Sequence, residues 1–551
     1  METRTRINNC DVLVVGGGIA GLYAATTAIT FNPKLKVMLV VADEIGSGGC
    51  SKNTQSVNAS INTDDSVAAH IKDTINGGCG INNKKLVQLL CTEILERIKE
   101  LESFGVNFDR NEHGYITRMY AGSSKGRALH AHGITGLRIT QALVQRAILA
   151  GLFIKEQHWV MGLISTQGKI CGIVSLNKIS RNIEVYYAKS VILATGGGAC
   201  VYPIASISSD KQASGITMAF DAGASLIDME MVQFHPTGLL LPGYSINGTL
   251  LEEEIRTQGG ILLNRNGRRY MFDYDTRGEL ATRDIVARGS YMEIMAGRGT
   301  NNGGVILSVS KLDKNTFLRN YPNTVKRLRA CDVDLLTCDT IEISPTAHFL
   351  MGGILVDENG ATGVSNLFAC GEDAGGVHGA NRLGGNGLAE ALVFGYRAGL
   401  AAIKNAENNI QNCPSTNDLE IKYYALDATT RNTIKHNLKK IMWDNVGVVR
   451  EGSKIKQALQ TLQEIFAKLQ PQLKTCKISS DYIAPDGLLQ GKILQQKLQL
   501  AYLITLAADA RKNSLGAHFR LDADGSSSLF NTLLRKTNDG TVNIALRQLE
   551  L

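Results

Sequence analysis

The sequence predicts an α/β fold: a Rossmann-like domain built from two separated segments, an inserted α+β capping domain and a C-terminal helical domain. Three observations predict it. A short apolar run, Asp11–Val15, leads directly into Gly16-Gly-Gly-Ile-Ala-Gly21 and an Ala-rich stretch with helical character. A second apolar run, Ser190–Leu193, ends in Ala194-Thr-Gly-Gly-Gly198. A third, Asn366-Leu-Phe-Ala-Cys-Gly371, is followed by a Gly-rich loop and a helix running from Leu388 to Ala402.

The elements follow in order. Lys36–Val41 reads as the strand after the first helix, which closes a βαβ unit of roughly thirty residues. Residues 65–107 carry helical spacing, with Leu86, Leu89, Leu90, Ile94 and Ile98 on one face. Residues 135–150 read as helix and 153–195 as strands. Residues 226–340 mix strands, a turn at Asn264-Arg-Asn-Gly267 and a helix beginning near Arg283. The polar stretch 405–418 reads as a linker, and 419–510 as helices. A chain of 551 residues exceeds one ordinary core. The expected units are 1–225 and 341–410 for the two segments of the nucleotide domain, 226–340 for the cap and 411–551 for the helical domain.

Composition excludes several classes. The formal net charge of +7 is spread along the chain, with no basic arm, so nucleic acid is not an expected partner. No run of about 18 apolar residues occurs, so no membrane span is expected. Residues 1–10 lack an apolar core, so no signal peptide is read there. The 11 cysteines form no CxxC pair and are odd in number, so neither an iron–sulfur cluster nor a zinc site is expected within the chain. Unpaired thiols suit a reducing, cytoplasmic setting.

Gly16-x-Gly18-x-Ala20-Gly21 has a chemical reason for each glycine. The first permits a tight turn, the second lets the backbone approach a pyrophosphate, and the third lets helix and strand pack closely. The helix N-terminus adds partial positive charge. Asp43, after the second strand, is a candidate for holding a ribose, although it sits late. The other half of the chain points to FAD rather than NAD: Ala194-Thr195-Gly196 ends one strand, and Gly371-Glu372 ends another. Gly384-Gly-Asn386-Gly-Leu388 opens a second helix aimed at the ligand. Glu372 is a candidate acceptor for a ribitol or ribose hydroxyl.

Further islands carry unusual polar residues: Gln233-Phe-His235-Pro-Thr-Gly238, Glu253-x-x-Arg256, Thr282-Arg283-Asp284, Pro345-Thr-Ala-His348 and His378-Gly-Ala-Asn-Arg382. Together with Met442-Trp-Asp-Asn-Val446 and Arg511-Lys-Asn-Ser-Leu515, they resemble the flavoprotein subunits of succinate dehydrogenase and fumarate reductase, a family that includes L-aspartate oxidase. The resemblance covers nearly the whole chain. It implies that His235, His348 and Arg382 hold the carboxylates of a C4-like dicarboxylate, and that Arg283 exchanges the proton. Glu253 and Arg256 would relay that proton, and FAD would exchange the hydride. It also implies a partner, a separate iron–sulfur protein or other electron-transfer subunit. A free guanidinium is a poor acid, with a pKa above about 12, so this chemistry needs a dry site and rapid resupply from Glu253.

Three departures from the family pattern matter. Ser51-Lys-Asn53-Thr54 carries Asn53 where covalent members carry histidine, so FAD is expected to be non-covalent. That tilts the reading toward fumarate reduction or an oxidase. Glu252 stands where the family has threonine, and it and Glu254 are read as solvated neighbours of the relay acid. Residues 119–120 are Met-Tyr, where aspartate oxidases place an acid for the substrate amine. Fumarate reductase or succinate dehydrogenase chemistry is therefore the leading expectation, ahead of L-aspartate oxidation or action on a related acid.

Overall fold

The computed structural model describes residues 6–208, 211–212, 214–410, 413–478 and 485–549. The ends of the expected first and last units, 1–5 and 550–551, lie outside the described residues. The central sheet grows from the strands that the apolar runs announced. Arg6–Val15 lies between Val37–Val40 and Ile183–Leu193, parallel to both. Phe153–Lys155 extends one edge, and the antiparallel pair Lys169–Asn177 and His158–Thr166 extends the other. Leu367–Ala369 joins the far end of Ile183–Leu193 in parallel register, across some 175 residues of chain.

Register decides what meets at the sheet's edge. Val15 pairs with Val40 and with Leu193, and Leu193 pairs with Ala369. Four strands therefore stop level, and Gly16, Val41, Ala194 and Cys370 leave from the same carboxyl edge, where such sheets bind ligands. The first helix, Ile19–Phe31, is buried almost all round because the 23-residue helix Asn386–Asn408 packs along it. Gly395 and Gly399 allow that contact. A Cβ at either would stand 2.6 Å from a carbonyl oxygen of the first helix, that of Ala20 or Ala24.

The cap forms an antiparallel sheet in the order Val232–Leu239, Thr340–Leu350, Val305–Ser308, Ile261–Leu263. Its second strand runs to Leu350, past the boundary expected at 340. The helix Arg283–Glu293 lies against it, with Lys314–Asn320 and Pro322–Arg329 as further cap helices. Residues 65–107 form two helices, Val67–Gly77 and Lys84–Ser103, separated at Gly78 and Gly80. In the expected linker the long helix continues to Asn408, and a short turn spans Thr416–Asp418; 411–412 lie outside the described residues.

The last unit is less helical than its sequence pattern suggests. Ala428–Val446, Gly452–Leu469 and Pro485–Ala510 are helices. Glu420–Tyr424 and Leu473–Lys477 pair as a ribbon, and Phe530–Lys536 with Val542–Gln548 forms a hairpin. That hairpin is a sheet partner of Leu226–Ile227, so the chain end is stitched back to the middle. The stitch is charged and buried: Arg511 donates to Glu230 at 2.6 Å, and Thr532 Oγ1 donates to the same carboxylate at 2.6 Å. No helix among the described residues is long and apolar enough to cross a membrane.

Candidate active site

A cavity of about 570 Å³ runs from the glycine turn to the cap. Its nucleotide end is bordered by Gly16, Gly18, Ala20, Ser51, Asn53, Thr54, Ala194, Thr195, Gly196, Gly371, Glu372 and Leu388. Gly21 and Asn386 do not border it, and each has a structural task instead. A Cβ at Gly21 would stand 2.0 Å from the Gly16 carbonyl oxygen, so Gly21 lets helix and turn close up. Asn386, at the head of its helix, accepts from Asn58 at 2.8 Å and donates to Thr74 at 3.0 Å.

Gly16 adopts φ +116, and a Cβ there would stand 2.1 Å from the Ala194 carbonyl oxygen. The two loops thus touch backbone to backbone, a cradle only glycine permits. Gly16→Ala is expected to cost about 3 kcal/mol of stability, near the top of the ordinary range, and to yield protein largely free of flavin. The flavin-to-protein absorbance ratio checks this. Ser51 Oγ accepts from the Ile19 N–H at 3.1 Å at the start of the helix. Asp43 borders the cavity and is ion-paired with Lys178. Glu372 is engaged on both oxygens, by Lys211 and by the Leu350 N–H at 3.0 Å.

At the cap end, His235, Glu253, Arg283, His348 and Arg382 border the same cavity, and Arg256 stands behind Glu253. Arg283 is the first residue of its helix. It donates to Glu253 Oε2 through Nε at 3.0 Å and Nη2 at 2.6 Å, and to Gln233 Oε1 through Nη1 at 3.2 Å. Arg256 donates to Glu253 Oε1 at 3.2 Å and to the Glu279 carbonyl. Burial alone would push the Glu253 carboxyl up, but Arg283 and then Arg256 outweigh it and hold it below the usual carboxylate range.

His235 and His348 are held toward the neutral form. Burial, then Arg283, pushes His235 well below the ordinary imidazole range; burial, then Arg382, does the same to His348. The Thr237 N–H donates to His235 Nδ1 at 3.3 Å, which leaves the His235 proton on Nε2. His348 Nδ1 is 2.9 Å from Ser206 Oγ, and the two rings meet edge to face at 5.5 Å. Arg382 is 6% exposed, lies 4.4 Å over the Phe349 ring, and has no carboxylate within ion-pair distance among the described residues. Its Nε is buried without a partner. Burial, then Arg283, pushes its guanidinium down to about 9.

The structure corrects one expectation and adds residues. Glu254 is not solvated: it is 4% exposed, paired with Arg118 and 3.3 Å from His130. Nor is Glu252 solvated: it borders the cavity, its Oε1 accepts from Thr324 at 2.5 Å, and its Oε2 is buried without a hydrogen-bond partner among the described residues. Gln233 ties the two arginines together, since its Nε2 donates to the Arg382 carbonyl at 2.7 Å and to Asn381 Oδ1 at 3.0 Å. Its signal was available, because Gln233 and His235 are two apart on one strand and share a face. Lys211, 4% exposed, also borders the cavity. Among the described residues no group of three or more His, Cys, Asp or Glu side chains could hold a metal.

Fold and site together define an FAD-dependent oxidoreductase. A family model described as FAD binding domain matches residues 11–388, and one described as fumarate reductase flavoprotein C-term matches residues 435–551. One subunit of the CoM/CoB fumarate reductase of Methanothermobacter marburgensis is 36% identical, over 94% of this chain and 95% of that protein. L-aspartate oxidase of Synechocystis is 32% identical, over 94% of each. The solved FrdA chain of E. coli quinol fumarate reductase matches with a TM-score of 0.90 at 28% identity, covering 99% of this chain and 98% of that one. The chain belongs to the succinate dehydrogenase/fumarate reductase flavoprotein family, which includes L-aspartate oxidase. It is an oxidoreductase of the CH–CH class.

Proposed function

We propose that the chain interconverts a C4-like dicarboxylate and its α,β-unsaturated form, in the manner of a fumarate reductase or succinate dehydrogenase. The charge balance at the cap end carries this reading. Arg256 and Arg283 pair with the one carboxylate of Glu253, Arg382 has no ion-pair partner among the described residues, and Glu252 and Arg327, one charge of each sign, both border the cavity. Three positive charges less one leave two, the complement of a dianion.

The residues divide the work. Arg382, with its planar fork, takes one carboxylate, and the neutral His235 and His348 donate to the substrate's oxygens. Clamping both ends holds the carbons in one plane of approach and polarises the double bond. Bound FAD supplies or accepts the hydride. Arg283 gives the proton to the adjacent carbon and is restored by Glu253, whose other oxygen is restored in turn through Arg256. A dry pocket is what lets a guanidinium serve in this way.

A second reading, L-aspartate oxidation, is favoured by relatives such as the Synechocystis enzyme. It ranks lower because Met119 and Tyr120 place no acid for an ammonium group at that position. Purified protein given fumarate with reduced viologen, and L-aspartate with oxygen, separates the two. Failure of fumarate to reoxidise the flavin sinks the first.

Asn53 supports non-covalent FAD. It borders the cavity within the turn Ser51–Asn53, and an amide forms no flavin link there. Acid precipitation is expected to release all flavin into the supernatant; yellow colour retained in the pellet would contradict this. Relatives named as subunits favour a separate iron–sulfur or other electron-transfer partner, which iron co-purifying with the natural complex would reveal. Eleven cysteines without a disulfide suit a reducing, cytoplasmic setting.

A further inference from the structure

Lys211 belongs to none of the islands that the sequence singled out, yet it holds a central place. Its ammonium is paired with Glu372. That carboxylate is fixed from two sides. Its Oε1 accepts the Leu350 N–H at 3.0 Å, and it fills the space beside Gly197, where a Cβ would stand 2.3 Å from Oε1. The stem of Lys211 runs past Gly196, with its Cε 3.3 Å from where a Cβ would be. Its Nζ lies 6.0 Å from the centroid of the Phe349 ring, the ring that Arg382 covers.

These contacts put Lys211 where the two halves of the cavity meet. Gly196 belongs to the nucleotide cradle, and Phe349 adjoins His348 at the acid-binding end. The field of Lys211 reaches His348, adding to the forces that hold that imidazole neutral. Hydride passes directly between cofactor and acid, so the redox end of FAD has to lie at this junction. An ammonium carries three N–H donors, and Glu372 is the one side chain that accepts from it here among the described residues. A buried ion pair is seldom kept for stability, since apolar residues of similar volume serve as well or better.

Two electrons and one proton leave the flavin ring one negative charge richer than before. We propose that Lys211, held by Glu372, is the cation that meets this charge: it donates to the redox end of FAD and raises the cofactor's reduction potential. The placement of the redox end rests on the proposed reading that an acid binds at the cap end, but the potential is measured without any acid present, so a failure here is distinguishable from a failure of that reading.

The test is the midpoint potential of the flavin in the purified holoenzyme, by dye-equilibrated reduction. In Lys211→Met the reduced-to-oxidised ratio at a fixed potential should fall at least tenfold, about 30 mV for a two-electron couple. Lys211→Arg, which keeps the charge, should stay within about twofold of the parent. Glu372→Gln, which removes the counter-charge, should move the ratio the other way. A Lys211→Met protein that retains FAD with an unchanged ratio overturns the proposal. Should that variant fail to retain FAD, Glu372→Gln decides: a raised ratio supports the assignment, and an unmoved one overturns it.

Discussion

Arg283→Ala should lower turnover by about 10²–10⁴-fold, the span that a positioned acid contributes, while FAD stays bound. Three hydrogen bonds hold this side chain: two to one oxygen of Glu253 and one to Gln233. They fix the plane of the guanidinium and leave no freedom for it to approach the substrate from another direction. The loss has a second component. Arg283 is the foremost of the charges holding Glu253 below its ordinary range, against a burial that pushes it up. Without Arg283 the carboxyl rises and takes up a proton nearer neutral pH, so the relay behind it is also disabled. Lysine restores the charge but not the fork. Arg283→Lys is therefore expected to keep the substrate KM within a few-fold and still lose most of kcat. Steady-state assays with reduced viologen, with single-turnover flavin reoxidation beside them, separate binding from chemistry. Turnover within about fivefold of the parent in the alanine variant would remove Arg283 from the proton path.

What the sequence made legible follows the range of the interactions involved. Gly16, Gly18 and Gly21 could be read because strand, turn and helix are contiguous, and their tasks are local. The polar islands could be read because each is a short run of residues with few reasons to stand together in a structural role. Glu254 was misread because its partner, Arg118, lies 136 residues upstream, and nothing local distinguishes a buried acid from a solvated one. The sheet joining Leu226–Ile227, Gly353–Leu355 and Phe530–Lys536 was invisible for a related reason. Leu226–Ile227 and Gly353–Leu355 are too short, at two and three residues, to carry periodicity, and the seven-residue Phe530–Lys536 joins them only from the far end of the chain. The last unit read as helical because its three helices are long, at 19, 18 and 26 residues, whereas its longest strands have only seven. Lys211 sits in a polar stretch where a lysine is normally solvated; only the fold brings Glu372 and Phe349 to it.

Arg382 allows the dicarboxylate reading to be tested without turnover, because there stability and binding should move in opposite directions. Its charge is buried with no carboxylate within ion-pair distance among the described residues, and its Nε has no partner at all. Such a charge is costly to the folded protein. Phe349 beneath it returns part of that cost, since a guanidinium over a ring face is worth up to about 2 kcal/mol when desolvated. A bound carboxylate supplies the missing partner, and it does so with a charge-assisted, two-pronged contact. Arg382→Met keeps the volume and removes the charge. The ligand-free variant, with flavin bound, is expected to melt no lower than the parent. Its affinity for a simple dicarboxylate such as malonate should fall by at least about thirtyfold, the low end of 2–5 kcal/mol for deleting one member of a buried pair. Thermal unfolding with and without malonate reads both effects. At a concentration of 100 times its Kd, malonate should stabilise the parent by about 2.7 kcal/mol, and at that same concentration it should stabilise the variant by no more than about 0.9 kcal/mol. If malonate stabilised both proteins equally, Arg382 would not be the anchor of a substrate carboxylate. A variant that melted well below the parent would show that the guanidinium is held for structure, and the two outcomes can be told apart in one set of scans.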